Sequence, residues 1–314
     1  MTIALEGPRF AEAQRALARF NHDRLTPSLA PLASSFTALE RDLLDLESAF
    51  VVAARERVAP SLSDVPDDPM RFVRWFERLV DDGPGQGDPL FPWLAHSASR
   101  DEMKWFLGQE VAGEAGFEDL LALTQVKMPR RAKLEMARNY WDEMGRGQAK
   151  GMHGPMLQTL ADHFGLKPTP DTTVPEALAL GNLMIALASN RHTAFQSIGA
   201  LGVIELTAPG RAAHVVAGLR RLHVPLKASH YFSLHAVLDV QHSAAWNGEV
   251  LATLVEEDRR RARAIAEGAI LRLWCGARCF ERYRRHFSLG GHEKRPSGVP
   301  ARADQATYHA GPAL

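Results

Sequence analysis

Between its turn signals the chain repeats apolar residues with a helical period, is rich in Ala, Leu, Glu and Arg, and has almost no run of β-branched residues. A chain patterned this way has little with which to build a sheet, and the fold class it predicts is all-α. Helices are expected over 8–22, 35–58, 69–80, 99–125, 132–144, 155–164, 175–206, 210–222, 229–248 and 249–287. Breaks fall where Gly, Pro and Asp gather, at Pro60 to Asp68, Asp82 to Pro89 and Lys167 to Thr173. From residue 290 to 314 the apolar period gives way to Gly, Pro and charge, the pattern of a disordered tail. No repeat of fixed period is visible, which disfavours a solenoid.

Composition closes off several kinds of function. Lys plus Arg and Asp plus Glu both number 37, so no net field draws nucleic acid or an anionic membrane surface. The longest apolar stretch, around Ala177 to Ala188, is interrupted by Gly181 and Asn182 and is shorter than the ~20 residues of a membrane span. Met1 to Phe10 holds Glu6 and Pro8 and lacks the layout of a secretory signal. The two cysteines, Cys275 and Cys279, are spaced as neighbours on one helix face and read as buried reduced thiols, consistent with a cytoplasmic protein. What stands out is 13 His, because imidazole is the commonest transition-metal ligand.

The sharpest pattern is His235, Asp239 and His242 in an uninterrupted helical segment, Ser229 to Asn247. At about 100° per residue the three side chains fall within about 60° of one another and can meet one metal site. Phe232, Leu238 and Trp246 bracket them, which argues for a face turned at least partly inward; the competing reading is a chance grouping on a solvated face. Glu205 follows the apolar run Leu201 to Ile204 just before an expected helix stop at Pro209. Glu143 and His153 stand ten residues apart around Gly145, Gly147 and Gly151. On a straight helix that spacing is about 15 Å, too long for one compact site, but three glycines in seven residues let the chain unwind and return. Upstream, Glu110 and Glu114 share a stripe with Phe106, Phe117 and Leu121, where a buried carboxylate needs a partner such as a cation. Wheel angle favours Glu110 and register with Glu143 favours Glu114, so both stay candidates; Glu118 lies off the stripe and reads as a surface charge.

Taken together these segments resemble the haem-oxygenase-like di-iron oxidases and oxygenases, the iron-containing redox enzymes. In that family a helical bundle supplies in some members a Glu from one helix, then a Glu and a His from a broken second helix, a Glu from a third, and His-x3-Asp-x2-His from a fourth. Here the matching positions are Glu110 or Glu114, Glu143 with His153, Glu205, and His235, Asp239 and His242. The resemblance implies a haem-oxygenase-like helical bundle over 99–289, with 1–98 as an N-terminal helical extension packed on it. It implies two iron ions per chain, with manganese the other metal that N and O ligands admit. Glu143 would bridge them, His153 and His242 would serve one, and Glu205, His235 and Asp239 mainly the other. Two Fe(II) ions held this way supply two electrons to O2 for oxidation of C–H, C–C or N–H bonds. Implied partners are O2, a small-molecule substrate and an external electron donor, with a homodimer compatible. The reading that competes with this is a metal-free helical binding or hydrolytic protein on the same bundle. No Glu-x-x-His, His-Glu-x-x-His, Walker loop or Gly-x-Gly-x-x-Gly occurs, so ferritin-like di-iron, zinc-hydrolase and nucleotide chemistry lack support.

Substrate contacts are less specific. Arg191, His192, Lys227, His230 and Tyr231 fall near the ligand-bearing segments, with a surface or inter-helix role as the plainer reading. Trp141 and Phe232 are candidates for a pocket wall. Arg259, Arg260, Arg261 and Arg263 follow Glu256, Glu257 and Asp258 and read as a solvated, salt-bridged face.

Overall fold

The computed structural model describes residues 5–29, 36–114 and 116–289; the expected tail at 290–314 lies outside them. Among the described residues there are helices and turns and no strand, so the fold is an all-α bundle, as the haem-oxygenase-like resemblance implies. Capping chemistry sets where many helices begin. Helix α1 (Pro8–Leu25) starts with Pro in its first turn, and α2 (Ala38–Val58) starts at Thr37, where the Glu40 N–H donates to the Thr37 hydroxyl and the Thr37 N–H to the Glu40 carboxylate. Asp68 caps α3 (Pro69–Glu77), and the short α4 (Leu79–Asp82) and α5 (Leu90–His96) follow. Helix α6 (Arg100–Gly113) repeats the reciprocal cap with Ser99 and Glu102. The chain continues through α7 (Phe117–Thr124), α8 (Arg130–Glu143), α9 (His153–Phe164), α10 (Pro175–Ser189), α11 (Ala194–Arg221) and α12 (Leu226–Ala245). A turn of π-helix at Trp246–Leu251, α13 (Ala252–Glu257) and α14 (Arg261–His286) complete it.

Several boundaries depart from sequence expectation. The helix expected over 99–125 is cut after Gly113, with Gly116 in the left-handed region at φ 71°. The expected 175–206 helix breaks at Asn190, whose side chain accepts the His192 N–H while the Thr193 hydroxyl bonds the Leu187 carbonyl. Pro209 does not stop α11, which runs through it; the ring removes only the N–H that would have bonded the Glu205 carbonyl, and the helix is clamped along its length by α5, α12 and α14. Asp258 adopts extended backbone and divides α13 from α14, and Leu90–His96 is a helix that the apolar pattern did not announce.

The long helices α11 and α14 form the spine. A Cβ at Gly199 would lie 1.8 Å from the Ile265 carbonyl oxygen, and one at Gly268 would lie 1.7 Å from the Gln196 carbonyl oxygen, so the two backbones touch where they cross. Phe10, Leu17 and Phe50 from α1 and α2 join Leu183, Ile198 and Ile265 in one apolar cluster. A second cluster gathers Leu90, Phe106, Leu160, Val215 and Tyr283. Cys275 and Cys279 are buried and free. No helix among the described residues is long and apolar enough to cross a membrane.

Candidate metal centre

The link from α8 to α9 builds the first half of the site. After Glu143 the chain unwinds through two single turns of 3₁₀-helix, Gly145–Gly147 and Ala149–Gly151, and Met144 pairs with Met152 through an antiparallel bridge. The loop closes on itself, so the end of α8 and the start of α9 are neighbours and the Glu143 Oε2 to His153 Nδ1 separation is 2.6 Å. Gly145 makes that closure: its φ is 60°, and a Cβ there would sit 2.3 Å from the carbonyl carbon of Gly151. Gly145→Ala is expected to lower stability by about 2–4 kcal/mol, since a backbone collision adds to the left-handed strain. Gly87, also left-handed at φ 66° but with open space around it, serves as the comparison. Gly87→Ala should lower stability by only about 1–2 kcal/mol. Equal losses in thermal unfolding would show that the loop does not depend on this close approach.

Around Glu143 two sets of side chains converge. Glu143, His153 and His235 form one, and Glu143, Glu205 and His242 the other; within each set the ligand atoms lie within 4.8 Å of one another. In the first, His235 Nδ1 donates to the Tyr231 carbonyl at 2.8 Å, which turns Nε2 toward His153 Nδ1, 3.1 Å away. In the second, Asn139 Nδ2 donates to Glu205 Oε1 at 2.7 Å, and His242 Nε2 donates to Asp142 Oδ2 at 3.2 Å. Arg146, left-handed at φ 53°, holds Asp142 in turn through a 2.6 Å bond to Oδ1. At 3.5 Å the His242 Nδ1 to Glu205 Oε2 separation is too poorly directed for a hydrogen bond, and Nδ1 is a buried atom without a hydrogen-bond partner. Asp239 Oδ1 is likewise buried and unbonded. Imidazoles oriented through their second nitrogen, with ligand atoms left bare in the interior, suit a metal of N and O preference.

This grouping differs from the pairing that the resemblance implies: His153 stands with His235, and His242 with Glu205. The reason lies in α12, where seven residues separate the two histidines by about 10 Å of rise. His235 therefore faces the start of α9, and His242 faces α8 and α11. Asp239 lies between them on the same helix, belongs to neither set, and lines a cavity with Glu114, Glu143 and Glu205. The two upstream glutamates separate. Glu110 accepts a bond from the Tyr283 hydroxyl at 3.3 Å and is surrounded by the charges of Arg211 and Arg272. Glu114, one turn on, lies within the field of Glu143 and within reach of the Tyr231 hydroxyl. Glu118 is not the surface charge expected: the break at Gly116 rotates it inward, beside Glu114, Glu143 and His153 in a second cavity.

The model of the iron-containing redox enzymes, of the haem-oxygenase-like superfamily, matches residues 104–277. The chain belongs to that family. No curated protein matches the chain. The matched span contains both ligand sets and nearly all of α6 to α14.

In this iron-containing redox enzyme the metal-free cluster is electrostatically frustrated. Burial, then the neighbouring Glu205, pushes the Glu143 carboxyl up to about 9. Burial, then Glu143, pushes Glu114 to about 8. Burial and the three glutamates around it raise Asp239. Burial and the adjacent His153 pull His235 down to about 4, so it is a neutral imidazole. Burial works against a charged His242, yet the Glu205 and Asp142 carboxylates hold it at about 9. So many acids around two or three imidazoles need cations that the side chains do not provide.

The sequence did not single out Asn139, Asp142, Arg211 or Arg272; Asn139 stands one helical turn before Glu143, the only local hint for any of them. Of the suggested substrate contacts, Tyr231 and Phe232 line the main cavity, whereas Lys227 and His230 are exposed. Arg191 donates to the carbonyls of Leu123, Thr124 and Val126 at the end of α7, and Trp141 is 54 % exposed, outside the cavity. Arg260 and Arg261 pair with Asp258 and Glu257, the salt-bridged face expected.

Proposed function

We propose that this family member catalyses O2-dependent oxidation or oxygenation of a small organic substrate at a non-haem di-iron site. The observation that carries the reading is that two buried Glu/His sets share Glu143 at the wall of an apolar cavity. A carboxylate common to both sets is what a pair of closely spaced metals requires. In this reading Glu143, His153, Glu205, His235, Asp239 and His242 hold the two ions, and Glu114 or Glu118 completes the site from α6 and α7, while Glu110 belongs to the arginine pair. When bound, iron would supply the electrons for O2 reduction, and an external donor would restore them where the reaction does not.

The protein's own part is positioning and exclusion. Asp142, held by Arg146, fixes His242 through Nε2 and turns Nδ1 toward Glu205; the Tyr231 carbonyl fixes His235 through Nδ1 and turns Nε2 toward His153. Phe106, Phe117, Ile204 and Phe232 wall the cavity beside the acids with apolar surface, which suits the body of an organic substrate. Anaerobic titration with Fe(II), with bound metal counted by elemental analysis and characterised by Mössbauer spectroscopy, tests the reading. The expected result is two high-spin, N/O-ligated irons per chain and O2 uptake that accelerates with a substrate. A single tightly bound iron, or haem taken up in preference to Fe(II), would overturn it.

A further inference from the structure

At the far end of the main cavity from the histidines, Arg211 of α11 and Arg272 of α14 both reach the cavity wall. They are close enough that the charge of Arg272 opposes that of Arg211. Neither has a carboxylate within ion-pair distance among the described residues. Arg211 donates to the Thr207 hydroxyl at 2.8 Å and lies over the Phe280 ring at 5.6 Å. Arg272 has no oxygen within hydrogen-bonding distance among the described residues; its guanidinium folds back along α14 over Gly276, where a Cβ would approach Nη1 to 3.0 Å. Of the cavity's carboxyl groups, Glu110 feels the charge of both guanidiniums and Glu114 that of Arg272, but neither is in ion-pair contact with them, and Glu110 is bonded to the Tyr283 hydroxyl. The guanidinium donors of Arg272 are thus left without a hydrogen-bond partner at the cavity wall, where unbonded donors of a charged group are costly.

We infer that the cavity takes an apolar substrate with a carboxylate head, and that Arg272 and Arg211 bind the head away from the metal ligands. Helix geometry sets the separation. Arg211 lies six residues beyond Glu205 on α11, and Glu110 lies four before Glu114 on α6, which place the arginine end about 6–9 Å along the helix axes from the acids. A head held there keeps the carbons next to the carboxylate back from the ligand cluster and presents a more distant part of the apolar body, between Phe106, Ile204 and Phe232, to Glu143 and Asp239. The guanidinium fork matches a carboxylate through two parallel N–H donors, which neither an alcohol nor an amide accepts as well. This assignment of substrate class rests on the Glu/His cluster being the reacting end, whereas the anion site itself does not.

Calorimetric titration of the full-length protein, both metal-free and loaded with Fe(II) without O2, separates the two. The probes are octanoate and 3-phenylpropanoate, each against its primary amide. The acids are expected to bind at least about 30-fold more tightly than the amides in both metal states, as for a charge-assisted bidentate pair. Arg272→Met should weaken acid binding by about 10- to 100-fold and leave amide binding unchanged, and Arg272→Lys should recover part of the loss. Unfolding curves of both variants show whether the fold is kept; if Arg272→Met does not fold, the acid-to-amide ratio of Arg272→Lys against wild type decides. Equal binding of acid and amide, failure of all four probes to bind, or an acid preference that Arg272 does not influence overturns the inference. An acid preference that appears only with iron and survives Arg272→Met also overturns it, because the head then sits on the metal, and the di-iron reading stands. Arg272-dependent acid binding in a protein that takes up no iron upholds the anion site and removes the di-iron reading.

Discussion

Glu143→Ala is expected to empty both metal positions, with affinity falling at each by more than about 100-fold, beyond the 10–100-fold typical of losing an outer partner. The reason is geometric: Glu143 is the only residue common to the two sets, one oxygen standing 2.6 Å from His153 Nδ1 while the Glu205 and His242 side chains converge on the same carboxylate. His153→Ala and His242→Ala each remove a member of one set alone and should each leave about one iron per chain. Metal counting after equilibrium dialysis against Fe(II) distinguishes these patterns. Retention of one iron at wild-type affinity in Glu143→Ala would mean that the carboxylate belongs to a single position and does not bridge.

Metal removal should convert the stability of the chain from nearly flat to steeply pH-dependent above neutrality. In the metal-free fold Glu114 and Glu143 hold their protons up to about 8 and about 9, whereas in the unfolded chain they release them near 4.5. The folded state then binds more protons than the unfolded one, so unfolding free energy falls as pH rises toward the folded values. His242, raised to about 9, adds in the same direction: the stability it contributes is fully present below its unfolded value of 6.5 and is lost as pH climbs to 9. His235, depressed to about 4, is neutral in both states above pH 7 and contributes no slope there. Between pH 6.5 and 9 the metal-free protein should therefore lose on the order of 2–3 kcal/mol or more. Bound cations hold the same carboxylates ionised and remove the slope, so the stabilisation by Fe(II) should grow with pH. Urea unfolding of both forms at pH 6.5, 7.5 and 8.5 measures this. Parallel pH profiles would show that the buried acids are not the metal's ligands.

Much of the site could be read locally because it lies on helices. The face formed by His235, Asp239 and His242 needs nothing more than the period of an unbroken helix, and the glycines between Glu143 and His153 announce that the two need not lie 15 Å apart, as ~1.5 Å per residue would place them. Glu118 was misread for an equally local reason. Its wheel position assumed one helix from 99 to 125, and a single left-handed residue, Gly116, changes the phase of everything after it. Pro209 was misread in the opposite sense: alone it would end a helix, but contacts along α11 outweigh one missing hydrogen bond.

The order of residues alone determined that the chain is helical, that its acids and imidazoles recur on inward faces, and that the α8 to α9 link must unwind, because each of these depends on spacing within one segment. Tertiary structure decided which groups meet. The crossing of α11 and α14 at Gly199 and Gly268 sets the register between those helices, and with it the approach of Arg211 to Arg272. The closed Gly145 loop sets the register of α9 against α8, and with it the pairing of His153 with Glu143 and His235. Helix periodicity carries no information about the axial offset between two helices; that offset comes from where backbones can touch and which side chains then fill the remaining space.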